Sequence, residues 1–175
     1  MTDFRNMVIE PLNASHDRVA FHCNAEALDR YIHKQAGQDI KRRINRIFIA
    51  ALPNKPKEII GYYSLSTLSI DLNQLPKKLL RKLPKHPIPA ALIGRLAVSK
   101  NAQGCGIGKM LLVDAIKRAL SVSDQIAIYA MVVDAINDNA KGFYEQFGFA
   151  RLSDDSPRLF LPLKPFENNM GILHP

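Results

Sequence analysis

Two hydrophobic periods alternate along this chain. Ala25, Leu28, Ile32 and Ala36 recur at helical spacing, with Asn24 placed to cap the helix they define. Leu112, Ala115, Ile116, Ala119 and Leu120 make a second helical stripe, and Ala140, Phe143, Tyr144 and Phe147 a third. Strand-like runs separate them: MVIEPL near the start, RIFIAAL from Arg46, EIIGYYSLSTLSIDL from Glu58, AALIGRLAV from Ala90, QIAIYAMVVDA from Gln125 and RLFLPL from Arg158. Pro53-Asn54-Lys55-Pro56 marks a turn. This order predicts an α/β fold. No repeat or linker divides the chain, so one domain is expected over residues 1–165, with a patternless tail over 166–175.

Composition adds boundaries rather than a function. A chain of 175 residues with 47% apolar and 23% charged residues can bury a core without staples. Cys23 and Cys105 make no disulfide framework, and no cysteine or histidine spacing suggests zinc. The opening residues lack a signal-peptide core and no apolar run is long enough to span a membrane, so a reducing cytoplasm is the expected location. The net charge of +8 favours an acidic ligand, such as RNA or a polyanionic cofactor, over a basic one.

The sharpest local signal is NAQGCGIGKMLL, which starts at Asn101. Gly104, Gly106 and Gly108 alternate just before a helical stripe. Glycine backbone followed by a helix start suits a phosphate or pyrophosphate. Met110 stands where a nucleotide triphosphatase loop needs Ser or Thr after Lys109, and the glycine spacing does not fit a dinucleotide fingerprint.

Gln103-Gly104-Cys105-Gly106-Ile107-Gly108 resembles the Q/R-x-x-G-x-G/A acetyl-coenzyme A loop of the GNAT N-acetyltransferases. NDNAKGFYEQFGF, with Asn137, Ala140, Tyr144, Gly148 and Phe149, resembles that family's last helix and following turn. The resemblance covers nearly the whole chain and implies a mixed, bent sheet splayed between its fourth and fifth strands. It also implies acetyl-coenzyme A bound by Leu96, Ala97, Val98, Gln103 to Lys109, Asn137 and Ala140. ALDRYIHKQAGQD, GYYSLS, GRLAV and LFLPL further resemble the tRNA-acetylating toxins of the TacT and AtaT type. These acetylate the amino group of aminoacyl-tRNA, are commonly homodimers, and are neutralised by a ribbon-helix-helix antitoxin.

Acetyl transfer needs a neutral amine, a polarised thioester carbonyl and a proton for the departing thiolate. By the resemblance, Tyr144 is the general acid; its place on an apolar stripe is equally that of a core residue. Backbone N–H groups around Leu96 to Val98 are the implied polarising donors. AALIGRLAV carries no carboxylate and the next strand only Asp134 at its end, so no general base is evident. Neutralising lysine at pH 7 costs roughly 4 to 5 kcal/mol, whereas an α-amine costs only about 1 kcal/mol. The site therefore suits an α-amine better. Arg95 needs an anionic partner: Asp134, Asp114 or a substrate phosphate.

Two basic stretches could contact tRNA phosphates: Lys34, Lys41, Arg42, Arg43 and Arg46, and Lys77, Lys78, Arg81, Lys82, Lys85 and His86. Leu75, Leu79, Leu80 and Leu83 could anchor a short helix with the second set facing out. Either run can equally be a solvated face. Cys105 reads as filler, and His22, His33 and His86 form no triad. Three functions stay in view: an aminoacyl-tRNA acetyltransferase toxin, a GNAT enzyme of a small amine, peptide or protein, and a non-catalytic coenzyme-A- or RNA-binding module.

Overall fold

The computed structural model describes residues 2–83 and 85–167. Seven strands alternate with helices: β1 (Val8–Pro11), α1 (Glu26–Arg30), a π-helical turn (Tyr31–Gln35), α2 (Ala36–Lys41), β2 (Arg46–Ala51), β3 (Gly61–Ile70), α3 (Lys77–Leu80), β4 (Ile88–Val98), α4 (Ile107–Ser123), β5 (Ala130–Asp134), α5 (Asp138–Glu145), β6 (Ala150–Arg151), β7 (Arg158–Pro162) and α6 (Lys164–Glu167). The strands are hydrogen-bonded in the order β1-β2-β3-β4-β5-β7-β6. The parallel β4–β5 pair makes the sheet mixed, as the GNAT resemblance implies. Its ladder runs from Ala90↔Ala130 to Ile93↔Val133, while β4 continues to Val98. Pro11 costs the ladder little, because it ends an edge strand.

The chain forms two compact units, Met1–Ser66 with Gly94–Ala115, and Thr67–Ile93 with Ile116–Pro175. In the first, β1, β2 and the start of β3 form an antiparallel sheet. Its core gathers Phe21, Tyr31, Ile32, Ala36, Ile47, Ile49, Tyr62 and Ala97, with Ala25, Leu28 and Ile40 packed on its margin. In the second, Ile70, Leu75, Ile88, Ala90, Val132 and Phe160 form the core, and Leu79, Leu80 and Leu83 pack against it. The leucines of the basic stretch thus anchor α3 as its spacing implies.

The helical stripe of α4 is fully buried, from Leu112 through Leu120. Other boundaries differ from the pattern. Asn24 does not cap α1: it takes a left-handed φ of 67°, and Ala25 is the N-cap residue. The expected single helix is interrupted by the π-helical turn. β5 begins at Ala130 rather than Gln125, and Ile126 is 65% exposed. Hydrophobicity without a facing partner does not make a strand. β3 begins at Gly61 rather than Glu58, and α5 ends before Phe147. The two-residue β6 and the short α6 lack a sequence signal. Most of the tail, 168–175, lies outside the described residues.

Several buried acids prefer to stay neutral. Burial, then Asp39, pushes the Tyr31 phenol up to about 12, and burial with Asp29 pushes the Cys23 thiol up to about 11. Burial also raises Tyr62. The unfolded chain ionises these groups first, so above about pH 9 the native state holds more protons and stability falls as pH rises. Chemical-denaturation midpoints should therefore be flat to about pH 9 and decline toward pH 12. Tyr31→Phe should start about 1–3 kcal/mol lower through its lost hydrogen bond, yet decline less steeply. A decline as steep as wild type would exclude Tyr31 from the effect.

Candidate active site

β4 runs directly into the glycine loop. After Val98, a turn of 3-10 helix over Lys100–Ala102 leads to Gln103, and α4 starts at Ile107. The Gln103 side chain donates from Nε2 to the carbonyls of Cys23 at 2.9 Å and Val98 at 3.0 Å. Its amide therefore fastens the loop to the end of β4 and to the segment before α1. Gly104 and Gly106 take φ of 75° and 80°, in the left-handed region that favours glycine. A Cβ on either would meet nothing within 4 Å, so their outer face is open. The first intrahelical bond is Met110 N to Gly106 O at 3.2 Å. The N–H groups of Ile107, Gly108 and Lys109 precede it and have no acceptor in their own helix. Open glycine backbone before a 17-residue helix makes a site for phosphate oxygens. Cys105 is exposed and its thiol turns back to Gln103 O at 3.6 Å, consistent with a filler.

Leu96 and Val98 are half-buried on β4 and Ala97 is buried. Arg95, on the same strand, has neither carboxylate that the sequence suggested. Asp134 accepts from Arg158 Nε at 2.9 Å, and Asp114 accepts from the Tyr63 hydroxyl at 2.6 Å. The Arg95 guanidinium instead lies over the Tyr31 ring, 3.6 Å from its centroid. Tyr31 is fixed in turn: its hydroxyl donates to Asp39 Oδ2 at 2.8 Å, and Asn45 donates to both oxygens at 3.1–3.2 Å. Sequence reading missed this platform. Its one signal was Asp39, the sole acid in KQAGQDIKRRINR, which is buried beside exposed cations.

On the second unit, Asn137 and Ala140 have a defined structural task. The Asn137 carboxamide accepts from Ala140 N at 2.9 Å and so caps α5. Tyr144 lies on the same helix, 6% exposed, edge-on to Phe143 and Phe149. Its hydroxyl makes no hydrogen bond to any described residue. Burial, and secondarily the Asp134 charge, raise its pKa, so the phenol stays protonated throughout the neutral range. The ring is buried, but the hydroxyl oxygen is not among the buried side-chain atoms left without a partner, so its proton is free for an acceptor that enters from outside.

The basic stretches are solvent-facing. Lys34, Lys41, Arg42, Arg43 and Arg46 are exposed around α2, and Lys77, Lys78, Arg81, Lys82, Lys85 and His86 are exposed in and after α3. Arg43 ends α2 in a left-handed conformation at φ 58°. No group of three or more metal-ligating side chains occurs among the described residues, and no helix there is long and apolar enough to cross a membrane.

A glycine loop at a helix start, following a parallel-paired strand, defines a class of proteins that bind a phosphate-bearing ligand. The family model described as Acetyltransferase (GNAT) family matches residues 19–149, and the chain belongs to that family of acetyl-coenzyme A-dependent N-acetyltransferases. A probable toxin TacT from Sinorhizobium fredii is 31% identical over 173 residues, 94% of this chain and 95% of that protein. A tRNA-acetylating toxin from Mycobacterium tuberculosis is 32% identical over 148 residues, 85% of this chain and 87% of that one. Among solved structures, AtaT complexed with acetyl-methionyl-tRNAfMet superposes with a TM-score of 0.86 at 29% identity, covering 94% of this chain and 99% of AtaT. A tyrosine-to-phenylalanine mutant of KacT gives 0.89 at 30% identity, with coverage of 94% and 99%.

A carboxylate at Gly106 would project into the open face of the loop and also occupy a strained backbone, at a cost of roughly 1–2 kcal/mol. Gly106→Asp should stay folded and lose at least tenfold in acetyl-coenzyme A affinity by calorimetric titration. Unchanged affinity in the folded variant would remove the loop from the cofactor site.

Proposed function

We propose that this protein transfers an acetyl group from acetyl-coenzyme A to the α-amino group of aminoacyl-tRNA and thereby blocks translation. The observation that carries the reading is the match of 94% of this chain to AtaT captured with acetyl-methionyl-tRNAfMet. The chemistry of the chain's own residues supports it. Bound acetyl-coenzyme A supplies an acyl thioester. The N–H groups at the start of α4 and the glycine backbone of Gln103–Lys109 hold its pyrophosphate, with Gln103 keeping the loop in place. Backbone N–H groups of Leu96, Ala97 and Val98 polarise the acyl carbonyl. Asn137 and Ala140 set the start of α5 and so the position of Tyr144.

Tyr144 would give its proton to the departing sulfur, the amine nitrogen would release its proton to water as the amide forms, and water would return a proton to the Tyr144 phenolate. A phenol is a weaker acid than a thiol by about 1.5 pK units, and burial widens the gap. The same dry surroundings raise the thiol's own pKa, which offsets that gap. No carboxylate on β4 serves as base, and Asp134 is engaged by Arg158. An α-amine, near half-neutral at about pH 8, needs none.

Lys34, Lys41, Arg42, Arg43 and Arg46, with Lys77, Lys78, Arg81, Lys82 and Lys85, hold tRNA phosphates in this reading. Arg95, cationic and without a carboxylate, takes a phosphate or carbonyl oxygen near the aminoacyl end. AtaT has been captured with the C-terminus of its antitoxin AtaR, and KacTA with DNA. A ribbon-helix-helix antitoxin, a homodimer and a cytoplasmic location belong to the same proposal.

The test supplies labelled acetyl-coenzyme A with charged tRNA, uncharged tRNA, free amino acids or lysine peptides at equal concentration. Charged tRNA alone should be acetylated. Efficient acetylation of lysine peptides with none of charged tRNA would instead assign an ordinary peptide acetyltransferase. Tyr144→Phe should cut turnover about 10² to 10⁴-fold with acetyl-coenzyme A affinity unchanged. The rate should rise with pH through about 8, as the amine loses its proton, and hold to about pH 10, because Tyr144 keeps its own.

A further inference from the structure

A cleft of about 430 Å³ lies on the first unit, between the segment from Leu12 to Arg18 and the helical stretch from His33 to Lys41. Three cations line it, Arg18, Lys34 and Lys41, and no carboxylate does. None of the three has an ion pair or hydrogen-bonded acceptor among the described residues. Like charges gathered without counter-charge repel, so an arrangement of this kind is relieved by an anion.

Arg18 belongs to neither basic run, and its placement is the most informative. Its guanidinium occupies the space over Gly37: a Cβ there would stand 2.8 Å from Arg18 Nη1. Gly37 sits inside α2 without a left-handed φ, so its backbone does not require glycine. Glycine is a poor helix former. The room it leaves is room for Arg18. The half-buried guanidinium thus lies against the Gly37 backbone, and its N–H donors have no acceptor among the described residues. A planar fork of donors matches two phosphate oxygens.

The rest of the cleft is not simply basic. Leu12 and Ile40 provide an apolar floor. Asn13 uses its Oδ1 on Ser15, at 2.9 Å from N and 2.6 Å from Oγ, which leaves its NH₂ unengaged, and Gln38 is exposed at the rim. An apolar surface flanked by amides and cations suits the face and edges of a base with its phosphate. An acidic side chain could use the cations and the amide donors but would leave the apolar floor of Leu12 and Ile40 uncovered.

We propose that this cleft seats one nucleotide of an RNA strand, its phosphate on Arg18, Lys34 and Lys41. The identity of that RNA as tRNA rests on the function proposed above. The test measures binding of uncharged tRNA and of a single-stranded RNA oligonucleotide across a salt series. Arg18→Ala should lower the salt slope by about one and weaken affinity, whereas Arg18→Lys should keep the slope. Gly37→Ala removes no charge and favours the helix, and the flexible end of Arg18 can shift from its methyl, so RNA affinity and slope should stay near wild type with a normal unfolding midpoint. Acetyl-coenzyme A affinity should not change in any of them. RNA affinity and slope unchanged in folded Arg18→Ala would overturn the proposal. Polyglutamate bound more tightly than RNA, and dependent on Arg18, would overturn it in favour of an acidic peptide. Arg18-dependent RNA binding without acetylation of charged tRNA would support the cleft and sink only the catalytic reading.

Discussion

α4 lies so close to the sheet that no side chain fits at Gly61. A methyl group there would meet the Ala97 carbonyl oxygen and Leu111 Cδ1, each at 2.9 Å. With Ile107, Leu111 and Leu112 fully buried, the first turns of α4 have one seat against β3 and the end of β4. The chain must then return from Val98 to Ile107 over a short span. Two left-handed glycines make the turn, and the Gln103 amide holds it to Val98 and Cys23. The open backbone that suits a phosphate is thus set by hydrophobic packing behind it.

Chemistry follows from where charge is satisfied and where it is not. Carboxylates that could compete for the site are already engaged: Asp134 by Arg158, Asp39 by Tyr31 and Asn45. Among the described residues, Arg95 on the first unit and Tyr144 on the second each keep a donor with no protein acceptor. One is a neutral phenol kept protonated by burial, the other a cation resting on an aromatic face. Both ready the protein to meet negative charge, which matches a reaction that releases a thiolate and a substrate built on phosphates.

The sequence displayed much of this because two kinds of signal survive without coordinates. The buried stripe from Leu112 to Leu120 has one period and one partner surface, so it reads cleanly. The loop at Gly104 and Gly106 reads because only glycine takes that backbone cheaply. What stayed hidden depends on tertiary pairing. Ile126 and Ile128 look like strand residues, yet β5 starts only where Ala130 meets Ala90. The Tyr31 platform under Arg95 joins residues 64 positions apart, which no local pattern encodes. Arg18 was invisible for the same reason, since its significance comes from Gly37 across the cleft.

The π-helical turn at Tyr31–Gln35 carries an implication for how this sequence tolerates length change. Such turns arise when one residue is inserted into an α-helix and the surplus is absorbed locally. Removing a single residue from Ile32 to Gln35 would let the helix close up as regular α-helix. Because the wider turn already absorbs the surplus residue, α1 and α2 would keep their relative orientation. Tyr31 would keep its ring under Arg95 and its reach to Asp39, although the chain had been shortened. A one-residue deletion within this turn should therefore be tolerated better than one inside the regular turns of α4.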